Sequence, residues 1–399
     1  MLSVEQALER MLAAARAIGQ SEELPLLQAG GRVLAEAVHA RLDVPPMDNS
    51  QMDGYAVRCA DVASVPARLP VRLRVAAGQA AGELPAGAAA RIFTGAAIPA
   101  GCDAIVMQED ARVEGDDVVL LRAPQIGQWI RRAGSDIARG AIALPAGQGL
   151  RAQHLGIAAS LGVARLRLVR RPRVALFCTG DELALPGEAA APGSIYNSNR
   201  FVLGVLLETL GCEVRDLGIV PDTLPATIAV LDQAASDADL VISSGGVSVG
   251  EEDHVKAALD TLGQLHLWQI AMKPGKPLAF GQVREIPFIG LPGNPVSAFV
   301  TFVLFVRPFL LRCLGVEDVF PKALQLPANF SRAPDAVRRE YLRVRRNETG
   351  TLDAYSSQNA ALLSSVAWAD GLAEIAAGAS VAHGQPVRYF PLAELLGPP

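Results

Sequence analysis

Apolar residues near the start of the chain recur three and four positions apart: Val4, Ala7, Leu8, Met11, Leu12, Ala15 and Ile18. That spacing puts them on one stripe of an amphipathic helix, and Ser3 with Gln6 has the spacing of a capping box. From Pro45 to about Pro124 the period changes to two. Leu69, Val71, Leu73 and Val75 alternate with Arg68, Arg72 and Arg74, and Glu114-Gly115-Asp116 reads as a hairpin turn, so a small β-rich domain is expected. Proline and glycine punctuate 124–150 and a short helix is predicted over 151–161. The β domain, residues 45–133, is therefore read as an insertion into a discontinuous helical N-terminal domain, residues 1–44 and 134–169.

Beyond Arg170, strands over 174–178, 212–220, 240–243 and 288–291 alternate with helices near 225–236, 253–262 and 296–314. A further helix, capped by Asn199, runs to Leu210 and stops at Gly211. This alternation predicts a doubly wound α/β domain over 170–316, a parallel sheet with helices on both faces. Short strands return over 339–345 and 387–390, with a turn over 347–350, so residues 317–399 are expected to form a separate β domain.

Composition narrows the chemistry. Half of the 399 residues are hydrophobic and mean hydropathy is +0.27, which is enough apolar surface to offset ordering entropy and excludes a disordered chain. With 36 basic against 41 acidic residues the net charge is −5, so bulk charge recruits neither nucleic acid nor an anionic membrane, and an anionic ligand needs a local site. The apolar run 298–306 ends at Arg307 and Pro308, short of the roughly 20 residues that span a bilayer. Glu5 and Glu9 precede any basic residue and no continuous apolar region follows, unlike a secretory signal. A cytoplasmic protein is expected. Five cysteines, odd in number and far apart, fit reduced thiols, and the scattered histidines offer neither a zinc site nor an HExxH helix.

The remaining polar signals gather where strands end. The first strand of the α/β region runs into Thr179-Gly180-Asp181-Glu182. The 240–243 strand runs into Ser244-Gly245-Gly246-Val247-Ser248-Val249-Gly250 and then Glu251, Glu252 and Asp253, and the 288–291 strand into Pro292-Gly293-Asn294-Pro295. In an open α/β sheet ligands bind outside the carboxyl ends of the strands. Glycine loops and helix starts there suit phosphate or other oxyanions, although each loop taken singly is also an ordinary tight turn. Neither a Rossmann nor a Walker fingerprint is present. Lys273-Pro274-Gly275-Lys276-Pro277 sets two ammonium groups on a stiff segment, either a preorganised anion site or a solvated turn. Asp48 and Asp53, around Asn49-Ser50-Gln51-Met52, are either Mg²⁺ ligands or members of a turn. Arg131, Arg132 and Asp136 offer phosphate contacts or surface ion pairs. Trp129, Trp268 and Trp368 are read as core or interface residues.

Taken in order, seven strings resemble the molybdopterin molybdenumtransferase family, the molybdate-inserting enzymes related to the C-terminal domain of gephyrin. They are Ser50-Gln51-Met52-Asp53-Gly54-Tyr55-Ala56, Ile92-Phe93-Thr94-Gly95-Ala96, Val106-Met107-Gln108-Glu109, Thr179-Gly180-Asp181-Glu182-Leu183, 243–250, 273–277 and 291–297. The resemblance implies an elongated helical N-terminal domain, an inserted β domain, a molybdopterin-binding α/β domain and a C-terminal β-barrel, assembled as a homodimer. It implies a reaction in which adenylylated molybdopterin and molybdate give molybdenum cofactor and AMP, with Mg²⁺ as cofactor. Carried over residue by residue, Asp53, Glu182, Asp222, Asp253, Lys273 and Lys276 are the catalytic set, with Glu182, Asp222 and Asp253 on the metal. Thr94, Arg131, Asp136, Thr179, Gly245, Gly246, Ser248, Pro292, Asn294, Pro295 and Ser297 are substrate contacts. The chain departs from the family at Trp129, where many members have Asn, and at Ser135, where Glu is usual. A transient contact with the molybdopterin adenylyltransferase is also implied. The rivals are that adenylyltransferase itself, whose fold resembles only 170–315, a gephyrin-like scaffold without catalysis, and a tungstate-inserting paralogue.

Overall fold

A computed structural model describes residues 1–189, 191–247 and 254–399, apart from the side chains at 267 and 268. The described chain divides into two compact units, Met1–Glu36 with Ala146–Arg151 and Arg165–Pro399, and Ala37–Pro145 with Ala152–Ala164.

The first unit is built on a six-stranded sheet in the order Glu213–Val220, Arg173–Thr179, Leu240–Ser244, Ile286–Leu291, Pro277–Val283, Gly263–Gln269. Alternation along Arg173–Thr179 explains its two faces. Val174 and Leu176 pack on one side with Leu203, Leu207 and Val303 of the helices Ser198–Thr209 and Pro295–Cys313. Ala175 and Phe177 pack on the other with Leu231, Ala234, Val255 and Leu259 of the helices Leu224–Ala235 and His254–Leu262. The expected two-sided cover is therefore present.

The sheet is mixed rather than parallel throughout. Its first four strands are parallel, but Pro277–Val283 runs antiparallel to both Ile286–Leu291 and Gly263–Gln269. The strands Gly263–Gln269 and Pro277–Val283 are absent from the sequence prediction, which addresses only the proline- and lysine-bearing segment 273–277 between them. A second correction concerns the helix after Tyr196. Asn197, not Asn199, is its N-cap, with its side chain accepting from the Arg200 amide at 3.1 Å. Asn199 lies inside the first turn, buried.

The helix Pro295–Cys313 includes a π-helical stretch, Phe302–Val306. Its length and mean hydropathy of 1.8 would let it cross a membrane, yet it is 89% buried inside the protein. Val4, Ala7 and Met11 of the N-terminal helix, and Tyr341, Leu372 and Phe390 of a C-terminal sheet, belong to the same core cluster. The predicted capping box is formed: Ser3 Oγ accepts from Gln6 N, and the Gln6 side chain accepts from Ser3 N. The C-terminal sheet runs Met272–Lys273, Arg339–Arg346, Gly371–Ile375, Pro386–Pro391, Leu324–Pro327, with Leu352–Ala354 added beside Arg339–Arg346.

In the second unit Gly54–Val57 pairs with both Ala89–Ile92 and Ala104–Met107, and Ala67–Val75 pairs with Ala89–Ile92 and Asp117–Leu120. The hairpin turn sits at Gly115, with φ +65°. Gly54 has no substitute in its strand, since a Cβ there would lie 2.0 Å from the Val106 carbonyl oxygen. Stretches 1–44 and 134–169 hold two described α-helices, Val4–Ala14 and Ala152–Ser160. The rest includes short antiparallel ladders, Ser21–Pro25 with Arg165–Val169 and Val38–His39 with Ile142–Leu144.

Candidate active site

Strand order decides where a ligand enters. Arg173–Thr179 has Glu213–Val220 on one side and Leu240–Ser244 on the other, so the chain leaves the sheet in different directions there and opens a crevice at the carboxyl ends. A cavity of about 610 Å³ occupies it, lined by Thr179, Gly180, Glu182, Asn197, Asn199, Asp222, Ser244, Gly245, Gly246, Pro292, Gly293, Asn294 and Pro295, among others. Of the residues marked in the sequence, Thr179, Glu182, Asp222, Gly245, Gly246, Pro292, Asn294 and Pro295 are thus brought together.

Close backbone approach shapes this cavity. Gly245 has φ +93°, and a Cβ there would stand 2.5 Å from the Thr179 carbonyl oxygen. Thr179 is 6% exposed, and its Oγ1 has no hydrogen-bond partner among the described residues. A buried hydroxyl of this kind costs free energy unless a ligand or water completes it. The Asn199 amide donates to Ser244 Oγ at 2.8 Å and to the Gly293 carbonyl at 2.8 Å, tying two of the glycine loops together. The helix that begins at Pro295 lacks a side-chain cap, and the Ala360 carbonyl accepts from its Val296 amide at 3.0 Å instead.

One wall of the cavity is acidic. The Asp222 amide donates to Asp181 Oδ1 at 3.0 Å. Burial, followed by the Asp181 and Glu182 charges, raises the Asp222 carboxyl above its ordinary value. Among the described residues no group of three or more His, Cys, Asp or Glu side chains could hold a metal ion. Ser248 and Asp253 lie outside the described residues.

The two lysines and Ser297 do not line the cavity. Lys273 Nζ pairs with Glu340 Oε1 at 3.1 Å. Lys276 is exposed, with its carbonyl accepting from Ile270 N at 2.8 Å, and Ser297 is buried in the first turn of the helix Pro295–Cys313.

In the second unit Asp53 accepts from both the Thr94 amide and the Thr94 hydroxyl, each at 2.7 Å. The amide and then the hydroxyl hold its carboxyl below the usual range. Asp48 serves the local fold, accepting from Arg132 Nη1 at 2.5 Å and Ala133 N at 2.8 Å, and Ser50 Oγ makes a turn with Met52. Arg131 and Asp136 are exposed. Trp129 and Trp368 are half-buried, and Trp368 stacks edge-on against Tyr355.

Sequence reasoning missed Asn197 and Arg343, and took Asn199 for a helix cap rather than the bridge between two loops. The asparagines sit in Tyr196-Asn197-Ser198-Asn199, where one amide caps the helix and the other bridges loops, a division that spacing does not reveal. Arg343 is 1% exposed. Its guanidinium donates to Ser365 Oγ at 3.1 Å and to the Tyr341 and Asn359 carbonyls at 3.4 and 3.3 Å, and burial pushes it down to about 10. It has no carboxylate partner among the described residues.

A multidomain α/β protein with an anion-suited crevice at the carboxyl edge of its sheet is thereby defined. Residues 2–162 match the family description "MoeA N-terminal region (domain I and II)", residues 175–312 "Probable molybdopterin binding domain" and residues 325–392 "MoeA C-terminal region (domain IV)". A molybdopterin molybdenumtransferase of Haemophilus influenzae is 43% identical over 80% of this chain and 79% of its own. One from Synechococcus elongatus is 37% identical over 97% and 99%. The crystal structure of a molybdopterin biosynthesis moeA protein from Pyrococcus horikoshii superposes with a TM-score of 0.86 at 28% identity, covering 98% of this chain and 100% of that one. The chain belongs to the molybdopterin molybdenumtransferase family.

Proposed function

We propose that this chain inserts molybdate into adenylylated molybdopterin, releasing AMP and molybdenum cofactor. The observation that carries the reading is the crevice itself. Three glycine-bearing loops, a buried Thr179 hydroxyl with no hydrogen-bond partner among the described residues and an acidic wall meet at the edge where a doubly wound sheet binds phosphorylated ligands. Thr179, Gly245, Gly246, Ser248, Pro292, Asn294 and Pro295 would cradle the pterin and its phosphate, with backbone amides aimed at the anion. Lys273 and Lys276, with Ser297, would receive the oxyanion.

The acidic wall fits a divalent cation, because burial first, and then the Asp181 and Glu182 charges, disfavour the Asp222 carboxylate, and a bound cation would offset both. Mg²⁺ usually takes one or two carboxylates and substrate phosphates; Glu182, Asp222 and Asp253 would hold it, and when bound it would neutralise charge on the leaving phosphate. The chain's own residues do the rest, binding and orienting the anhydride and placing ammonium groups beside the oxyanion.

The finer architecture of this reading is a four-part chain. It comprises an elongated helical domain (1–44 and 134–169), an inserted β domain (45–133), the α/β domain (170–316) and a C-terminal barrel (317–399). It works as a cytoplasmic homodimer in which Asp53, Thr94, Arg131 and Asp136 also serve the reaction, with transient contact to the adenylyltransferase. Sedimentation tests the dimer, and mixing Asp53→Ala with Glu182→Ala subunits should restore part of the activity if sites are shared.

Incubation with adenylylated molybdopterin, Mg²⁺ and either molybdate or tungstate, following AMP release, tests the whole. Oxyanion-dependent release is expected, and the better oxyanion identifies the metal. No release with either would refute the reading and favour a scaffold, whereas formation of the adenylylated pterin from ATP would assign the chain to the preceding step.

A further inference from the structure

The lysine segment is held from outside the α/β sheet. Met272–Lys273 forms a parallel ladder with Arg339–Arg346 in which Lys273 stands opposite Glu340. Glu340 is 3% exposed, and its two oxygens are shared by three contacts. Arg332 donates through Nε to Oε2 at 2.7 Å and through Nη2 to Oε1 at 2.8 Å, and Lys273 Nζ reaches Oε1 at 3.1 Å. The Arg332 hydrogen bonds first, and Lys273 after them, hold the carboxyl below its usual range against the effect of burial. A buried carboxylate with two cationic partners is costly to break and geometrically demanding. Lys276, three residues on, is exposed and has no ion pair among the described residues.

We infer that Glu340, backed by Arg332, is a positioning residue that fixes the Lys273 ammonium for the oxyanion, leaving Lys276 as the freely adjusting cation of the pair. The inference rests on the function proposed above and adds a division of labour between the two lysines. Arg332, Lys273 and Glu340 together carry a surplus of one positive charge. An arriving dianion therefore meets an ammonium already oriented by a carboxylate, and the ordering entropy of that lysine has been met during folding. Removing the carboxylate increases the local positive charge and frees the ammonium. Oxyanion affinity should hold or tighten while turnover falls, the opposite of what losing a simple binding contact does.

Glu340→Gln tests this in the whole chain with two readouts. The first is the rate at which an amine-acylating reagent labels Lys273, measured by mass spectrometry relative to Lys256 and Lys322. The second is the split of kcat from the molybdate KM in AMP release. Expected are labelling of Lys273 raised about 5-fold or more and kcat lowered roughly 10-fold, with KM unchanged or lower and Glu340→Asp recovering both in large part. A parallel Lys273→Met variant should lose activity to which Glu340→Gln adds little. Unchanged labelling of Lys273 in Glu340→Gln would overturn the inference whatever the activity shows. So would a loss of active protein in proportion to lowered thermal stability with kcat per folded molecule intact. Wild-type protein that releases no AMP would refute the proposed function instead, and the labelling comparison would still decide whether Glu340 holds Lys273.

Discussion

Gly245→Ala is the most informative single change in the cavity, because two separable effects act at one position. At φ +93° an L-residue is strained, at about 1–3 kcal/mol. The new Cβ would also meet the Thr179 carbonyl oxygen at 2.5 Å, when ordinary contact begins at 3.4 Å. That carbonyl belongs to backbone at a strand end and cannot swing away like a side chain. Overpacking of this kind costs about 1–3 kcal/mol. The opposing gain, lower entropy of the unfolded chain, is about 0.4–1 kcal/mol and operates only where the native conformation suits alanine. Destabilisation should win, at roughly 2–6 kcal/mol, a large part of a typical total of about 5–15 kcal/mol. Urea unfolding would read the loss, and equilibrium binding of adenylylated molybdopterin would read the displaced loop. Gly293→Ala is the internal control. Its nearest neighbour to a new Cβ is 4.0 Å away and its φ lies outside the left-handed region, so its stability should stay within about 0.5 kcal/mol of wild type. A Gly245→Ala protein as stable as the Gly293→Ala control, with ligand binding intact, would refute the argument that this approach shapes the cavity.

Lys276→Ala should weaken molybdate binding roughly 10- to 100-fold, the worth of one charge-assisted hydrogen bond, and respond to added molybdate. Glu182→Ala should accumulate unhydrolysed adenylylated pterin at any molybdate concentration, and identical molybdate responses of the two variants would contradict the division between acids and lysines. The lowered Glu340 carboxyl has a defined pH consequence. Its contribution to stability is complete above the unfolded glutamate value near pH ~4.3 and is lost as pH falls through the lower folded value; Glu340→Gln should therefore flatten the acid limb of a plot of unfolding free energy against pH. Gly54→Ala should prevent the second unit from folding normally, since its Cβ would overlap the Val106 carbonyl at 2.0 Å, and loss of its amide-exchange protection would show this.

What the sequence disclosed follows from how local each signal is. The N-terminal helix was legible because stripe and capping box lie within a dozen residues, and the strand Ala67–Val75 because its alternation needs no partner to be seen. The Gly245 and Pro292 loops were legible as strand-end punctuation. The antiparallel pair Gly263–Gln269 and Pro277–Val283 was not, since register between them is fixed by tertiary pairing. The Asn197 cap was missed by two residues because Asn199 is an equally good cap by type and only its buried bridge to Ser244 distinguishes it. The pairing of Asp53 with Thr94 spans 41 positions, and resemblance brought both residues forward without indicating that they touch. Lys273 and Glu340 join segments that no window along the chain holds together.

The buried helix Pro295–Cys313 sets a timetable for the growing polypeptide. During synthesis a segment apolar and long enough to resemble a membrane span emerges from the ribosome before Tyr341, Leu372 and Phe390, which share its core cluster, have followed it out. Roughly 80 further residues separate Cys313 from the end of the strand Pro386–Pro391, which at about 5–20 residues per second leaves the helix incompletely covered for about 4–16 s. In that interval only the N-terminal helix and the sheet already formed can shield it. Ribosome-bound chains stalled once Cys313 has cleared the exit tunnel should bind chaperones and hydrophobic dyes, and chains released after synthesis of Pro399 should not.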